Sequence, residues 1–271
     1  MKRGVKVSIA IIAVIVLVIV AGYAYICSVS GLDSPLSVVM SSSMQHDDNE
    51  SRIGVIDTGD IVVVKDPKSM TIQSYVEATV SGYKSLGDYG DVIIYERGGD
   101  SNPIIHRAIV WVNYNAINNT WSIPSLANYE GIWKCSESTN YMSLSGTLTF
   151  IDITQSKKTV SINLNDIKEK RSGYLTLGDN PVSNREFDQS GLVKSPVGKD
   201  LIKSVAIIEI PWMGVLKVSL SEKSSYLSHV PNSIYSLVML FIMLFSFIYC
   251  YDFVNLKRKL EISNRKLKEL G

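Results

Sequence analysis

A run of three serines followed by methionine, SSSM at positions 41–44, could supply a nucleophile. A serine hydroxyl attacks a carbonyl only when a base lies within hydrogen-bond reach and a further group orients that base. Of the three histidines, His106 is unusual because it lies inside the apolar run PIIHRAIV and is followed by Arg107. The pattern is compatible with acyl transfer, although a solvated loop and a structural histidine are the ordinary alternatives.

The other two histidines have simpler interpretations. His46 lies three residues after Ser43 among Asp and Asn residues, which predicts an exposed turn. His229 adjoins a second apolar segment, where an interfacial histidine is expected.

Gly-Asp pairs mark the ends of several apolar runs. Gly59-Asp60 and Gly90-Asp91 each precede such a run, and Gly-Asp-Asn at 178–180 follows another. Turn chemistry accounts for each pair separately. It does not account for their order relative to the serines and the His-Arg pair.

That order resembles the type I signal peptidases, in particular the archaeal and endoplasmic-reticulum branch. The resemblance rests on five motifs and covers the first apolar segment and most of the region between the two apolar segments. The motifs are SSSM (41–44), GDIVVVKD (59–66), GDVIIYERGG with PIIHRAIV (90–110), YLTLGDN to FDQ (174–189) and IPWMG (210–214).

By position, the resemblance implies that Ser43 is the nucleophile and that the Ser41 hydroxyl lines the oxyanion hole beside the Ser43 N–H. His106 stands where the bacterial branch has a lysine, and an imidazole needs little pKa adjustment to act as a base near neutrality. Asp188 is expected to orient His106, with Asp179 supporting the site. The reverse assignment of the two aspartates stays open.

The resemblance also implies a substrate class, signal-peptide-bearing preproteins, and no metal or organic cofactor. Selection of small side chains before the cut would need shallow apolar pockets, for which Val38, Val39 and Met44 are the candidate walls. Membrane lipid and the secretion machinery are the other expected partners. A net charge of +1 gives no indication of nucleic-acid binding.

Three departures from the family pattern keep alternatives open. Gln45-His46 occupies the place of a usual proline, Leu177 replaces a usual lysine, and a segment at about 113–172 separates His106 from Asp179. A specialised protease for surface or pilin-like precursors, or a non-catalytic paralogue acting as a scaffold, would fit such departures.

Two apolar segments predict a membrane protein with a domain between them. Residues 7–26 contain no charged side chain and are long enough to cross a bilayer, although a cleaved signal peptide begins in the same way. Because Lys and Arg flank both apolar segments, both termini are expected in the cytoplasm. We expect a basic N-terminus (1–6), an anchor (7–27), an extracytoplasmic domain (28–232), a second span (233–252) and a basic tail (253–271). The tail could be solvated or form an amphipathic helix on the inner leaflet.

The region between the apolar segments predicts a mainly β domain. Short β-branched and aromatic runs recur there and are separated by Gly, Asp and Asn, which favours an all-β fold of signal-peptidase type flanked by two transmembrane helices. The insertion at 113–172 is expected to be β-rich as well. Three scattered cysteines predict no disulfide framework. The predicted strands lie in DIVVVKD, DVIIYERGG, IIHRAIVWV, GTLTFIDI, TVSINL, YLTLGD and SVAIIEI.

Overall fold

The computed structural model describes residues 3–47, 49–97 and 102–269. Positions 1, 2, 270 and 271 of the predicted terminal segments, and Gly98 and Gly99 of the predicted strand run DVIIYERGG, lie outside these residues. The helices are α1 (Arg3–Ser30), α2 (Tyr75–Ser81), α3 (Val215–Ser219) and α4 (Pro231–Glu269). The strands are β1 (Leu36–Val38), β2 (Ile61–Lys65), β3 (Lys84–Ser85), β4 (Asp88–Tyr89), β5 (Val92–Tyr95), β6 (Ile104–Asn115), β7 (Thr120–Ser122), β8 (Ile132–Cys135), β9 (Thr147–Ile153), β10 (Lys158–Asn163), β11 (Gly173–Leu177) and β12 (Ile202–Ile210).

The two terminal helices are long and apolar enough to cross a membrane. An 18-residue window within the span Ala13–Ser30 of α1 has a mean hydropathy of 2.3, and one within the span Pro231–Glu261 of α4 has a mean hydropathy of 2.2. Their apolar side chains are largely exposed, unlike those of a helix in a soluble core. Length and composition therefore suggest a membrane protein. The helix α4 continues beyond the predicted span, through most of the basic tail.

A seven-stranded antiparallel sheet forms the centre of the region between these helices. Its strand order is β1-β2-β12-β5-β6-β11, with β7 paired to β6. All seven predicted β-branched runs form strands. The chain as a whole is mixed rather than mainly β, because α1 and α4 alone contribute 28 and 39 helical residues.

The segment at 113–172 has a sheet of its own. Strands β8, β9 and β10 pair in the order β10-β9-β8. Apolar side chains from this sheet, including Phe150 and Val160, share one core cluster with Ile109 and Leu177 of the central sheet. Burial of apolar surface between the two sheets therefore fixes the insertion against the domain.

The short helix α2 was not expected from the apolar pattern. Its start is fixed by a capping box, in which the Ser74 side chain accepts from the Glu77 N–H and the Glu77 carboxylate accepts from the Ser74 N–H. The helix ends at Ser81, and the capping residue after it, Gly82, has a φ of 77°, which suits glycine. The three cysteines, Cys27, Cys135 and Cys250, are free thiols.

Candidate active site

The serine loop, residues 41–44, follows the edge strand β1 and is held at both ends. Before the loop, the Val39 N–H donates to Asp60 O at 2.9 Å, and Val39 O accepts from the Gly59 N–H at 3.0 Å. After it, Gln45 is buried and its Oε1 accepts from Thr58 Oγ1 at 2.5 Å. This bond fixes the chain directly after the serine loop.

The turn after β11 binds the serine loop directly. The Asn180 N–H donates to Ser43 O at 3.0 Å, and Asn180 Nδ2 donates to Ser42 O at 2.8 Å. A Cβ atom on Gly178 would come within 2.5 Å of Ser43 O, so only glycine allows the two backbones to approach this closely. The Gly-Asp-Asn motif therefore positions the backbone of Ser43.

His106 and Asp188 form a buried pair. His106 Nδ1 lies 2.7 Å from Asp188 Oδ2, and both side chains are at least 97% buried. The same carboxylate oxygen accepts from Tyr95 Oη and from Thr176 Oγ1, each at 2.6 Å. Burial and the charge of Asp188 raise the pKa of Tyr95 well above its usual value, so the phenol stays a donor. Of the two candidate aspartates, Asp188 is the one in contact with His106.

This contact defines the available nitrogen of His106. An ionised Asp188 accepts only, so Nδ1 carries the proton and Nε2 of the neutral ring can accept one. An imidazole oriented by a carboxylate is the arrangement of a general base in serine hydrolases.

Ser43 and the strand of His106 are linked through the end of β11. Leu177 pairs with Arg107 as the last pair of this ladder, and the next residue, Gly178, packs against Ser43 O. The Ser43 side chain is half-buried and its Oγ lies 3.4 Å from Ser41 Oγ. Ser43 and His106 make no hydrogen bond with each other among the described residues. Such bonds are often long in free enzymes and shorten when substrate binds.

Asp179 has a different partner, Arg107, which is fully buried. Arg107 Nε lies 3.0 Å from Asp179 Oδ1, and Nη2 lies 2.5 Å from Oδ2. The guanidinium also donates to Ser85 O at 3.0 Å and to Gly90 O at 2.7 Å. Burial alone would raise the pKa of Asp179, but the charge and hydrogen bonds of Arg107 hold it below its usual value. This pair ties the 85–90 loop to the Gly-Asp-Asn turn.

The three expected pocket residues differ in exposure. Val39 and Met44 are 2% and 1% exposed and pack in a core cluster with Ile56 and Val62. Val38 is partly buried and packs against Val215 and its neighbours. Contact of these side chains with a substrate stays a prediction, and for Val39 and Met44 it requires the core beneath the serine loop to open.

The expectation of an exposed His46 is wrong. Its side chain is 10% exposed, and Nε2 lies 3.8 Å from Asp179 Oδ2. Burial lowers the pKa of His46 despite the opposing charge of Asp179. The imidazole is therefore part of the polar centre beside the Gly-Asp-Asn turn.

Sequence patterns did not indicate three other residues of this centre. Tyr95 and Thr176 contact Asp188, and Lys158 reaches the Gly-Asp-Asn turn from the insertion. A signal was available for Thr176, a polar residue inside the apolar run YLTL, whereas Tyr95 merely ends the run VIIY. Among the described residues, no group of three or more His, Cys, Asp or Glu side chains could hold a metal ion.

Comparison with protein-family models and with curated protein sequences gives no match. The class of this chain therefore has to be argued from its own residues.

Proposed function

We propose that this protein is a membrane-bound serine endopeptidase that removes N-terminal signal peptides from secreted proteins. The observation that carries the proposal is the 2.7 Å contact between His106 Nδ1 and Asp188, beside a serine loop held by the Gly-Asp-Asn turn. The order of motifs along the chain, which resembles that of type I signal peptidases, supports the substrate class.

The proposed reaction is acyl transfer through Ser43. His106 Nε2 takes the proton of the Ser43 hydroxyl, and Ser43 Oγ attacks the carbonyl carbon of the scissile peptide. The protonated imidazole, stabilised by Asp188, then donates its proton to the leaving amine. A water molecule, deprotonated by His106, hydrolyses the acyl-enzyme and releases the leader.

Ser41 and the Ser43 N–H are the proposed donors to the oxyanion. Ser41 Oγ lies 3.4 Å from Ser43 Oγ, within the space where the tetrahedral intermediate would form. Loss of one such donor typically costs about 2.7 to 4 kcal/mol of barrier.

The two apolar helices support activity at a membrane surface. In the proposed topology both basic termini lie in the cytoplasm, and the domain between α1 and α4 lies on the extracytoplasmic side of the cell membrane. Leaders inserted in the same membrane would meet the site at a raised effective concentration.

The test is cleavage of a preprotein with an Ala-x-Ala leader by protein in detergent or liposomes. We expect Ser43→Ala and His106→Ala to abolish cleavage. Ser42→Ala is the matched control, since it removes a neighbouring hydroxyl that makes no described hydrogen bond, and should cleave normally. A folded wild-type protein that leaves several leaders intact would contradict the proposal.

A second candidate is a protease for surface or pilin-like precursors. The insertion with its separate sheet favours it, since such a unit could recognise a particular substrate. Cleavage of those precursors in preference to ordinary leaders would distinguish it. A folded protein that cleaves neither class would instead support the non-catalytic scaffold.

A further inference from the structure

The turn between β9 and β10 joins the insertion to the loops that surround the candidate active site. The Thr154 N–H donates to Tyr75 Oη at 3.0 Å, and the Gln155 N–H donates to Asp88 Oδ2 at 2.7 Å. Gln155 Nε2 also contacts Gly87 O. The turn therefore binds the same loop that supplies carbonyl acceptors to Arg107.

The backbone of this turn is strained. Thr154 has a φ of 63° and Lys157 a φ of 48°, in the left-handed region that a β-branched residue such as threonine rarely adopts. Residues keep such conformations only where surrounding contacts hold them, and they cluster at functional sites. The contacts of Thr154 and Gln155 hold the turn in this conformation, and Lys158 follows it directly at the start of β10.

Lys158 extends from the start of β10 into the Gly-Asp-Asn turn. Its Nζ lies 2.8 Å from Gly178 O, 2.8 Å from Asn180 O and 3.2 Å from Asn184 O. An ammonium group has three protons and no lone pair, so three carbonyl acceptors satisfy it completely. Lys158 is therefore a structural cation here and not a second base.

Two of these acceptors belong to residues that touch the serine loop. Gly178 packs against Ser43 O, and Asn180 donates to Ser43 O and Ser42 O. A shift of the turn would move the Ser43 backbone with it.

The charged and titratable groups that face Lys158 come from several elements. Asp88 and Asp179 attract the ammonium group, whereas Arg107 repels it, and His46 lies close enough to be affected by its charge. Burial lowers the pKa of Lys158 to about 8, against the opposing effect of the two aspartates. The group is thus mostly protonated at pH 7 and loses its charge under mildly alkaline conditions.

We propose that Lys158, supplied by the insertion, is a positioning residue that holds the Gly-Asp-Asn turn and through it the backbone of Ser43. This inference rests on the proposed peptidase function for its kinetic consequence. The contacts that carry it lie outside the His106–Asp188 pair.

The test compares Lys158→Met, Lys158→Arg and Lys157→Met with the wild type. Lys157 is exposed and next in sequence, so Lys157→Met is the matched control. We expect Lys158→Met to lower kcat by about 10- to 100-fold with a smaller change in KM, because a small misplacement of a reacting group has effects of this size. Hydrogen exchange should become faster in the segments 41–45 and 178–184 of Lys158→Met only.

The pH profile provides a readout that a general loss of packing would not change. Activity of the wild type should decline near pH 8 as Lys158 loses its proton. Lys158→Arg stays protonated throughout this range, so its remaining activity should lack that decline.

If Lys158→Met has the kcat of the wild type and the same rates of hydrogen exchange, the positioning role is overturned, even if the peptidase function holds. If the wild type cleaves no leader, the peptidase function fails, and the exchange measurement alone decides whether Lys158 holds the turn. If Lys158→Met does not fold, the positioning role is tested by comparing amide hydrogen exchange of the wild type at pH 7 and at pH 9. Faster exchange in 178–184 at pH 9, beyond the intrinsic effect of pH, supports the role, and its absence contradicts it.

Discussion

The two aspartates should respond differently to the same substitution. Asp188→Asn removes the negative charge beside His106 and favours the wrong tautomer of the imidazole. In serine hydrolases the same change lowers kcat by about 10⁴-fold, or about 5 kcal/mol of barrier. We expect this loss for Asp188→Asn with a stability loss of about 1 to 3 kcal/mol, because three donors converge on the altered oxygen.

Asp179→Asn should act mainly on folding. It leaves the guanidinium of Arg107 without its counter-charge, and breaking a buried ion pair costs about 3 to 5 kcal/mol. We expect the lower end of this range because backbone carbonyls such as Ser85 O and Gly90 O still accept from Arg107. The kcat of the molecules that remain folded should fall far less than that of Asp188→Asn.

The assay measures single-turnover cleavage and unfolding in the same detergent at pH 7, so that both free energies refer to one state. Asp200→Asn is the control for loss of a carboxylate, since Asp200 is exposed and pairs only with Arg171 among the described ion pairs. It should change stability by less than about 0.5 kcal/mol. An active Asp188→Asn together with an inactive but fully stable Asp179→Asn would refute the assignment of the two roles.

Three further predictions concern the support of the serine loop. Arg107→Lys should lower the free energy of unfolding by about 2 kcal/mol or more, measured by denaturant titration, because one ammonium group cannot replace a fork of donors. Gly178→Ala should lower kcat and reduce the free energy of unfolding by about 1 to 3 kcal/mol, because its Cβ would lie 2.5 Å from Ser43 O. Wild-type kinetics of this variant would contradict the close approach. Because the pKa of Asp179 is lowered on folding, its stabilisation is present above about pH 4 and is lost below it, so Tm should fall more steeply with acidification in the wild type than in Asp179→Asn.

The long strands could be predicted from sequence because β-branched runs bounded by turn residues have few alternatives. The short strands β1, β3, β4 and β7 could not, since two or three residues carry no measurable alternation, and β8 has no run of β-branched residues. Helix α2 had a readable signal, the Ser-x-x-Glu pattern at Ser74 and Glu77, which predicts a helix start even where the apolar pattern is weak.

The candidate site was predictable to the extent that its residues lie in ordered motifs. Ser43, His106 and the Gly-Asp-Asn turn follow from such motifs, but the choice between Asp179 and Asp188 does not. That choice depends on which carboxylate reaches His106, and this is a property of tertiary packing. His46 was misjudged for the same reason, because polar neighbours in sequence do not reveal that Gly87 and Asp179 cover its ring.

The pairing of β6 with β11 explains how His106 and Asp188 can be close despite their long separation in sequence. Strands β6 and β11 are neighbours in the sheet, and the chain between them forms a sheet of its own. The entropic cost of closing a connection between two paired strands grows only slowly with the length of that connection. Phe187, directly before Asp188, is 1% exposed and its ring centroid lies 6.2 Å from that of Phe150 in the insertion. One side of the insertion thus supports the aspartate while Lys158 holds the turn beneath the serine. A deletion of 113–172 that simply rejoined β6 to β11 would remove both supports. Single substitutions, and not truncation, can therefore separate the proposed role of the insertion in positioning from its proposed role in substrate choice.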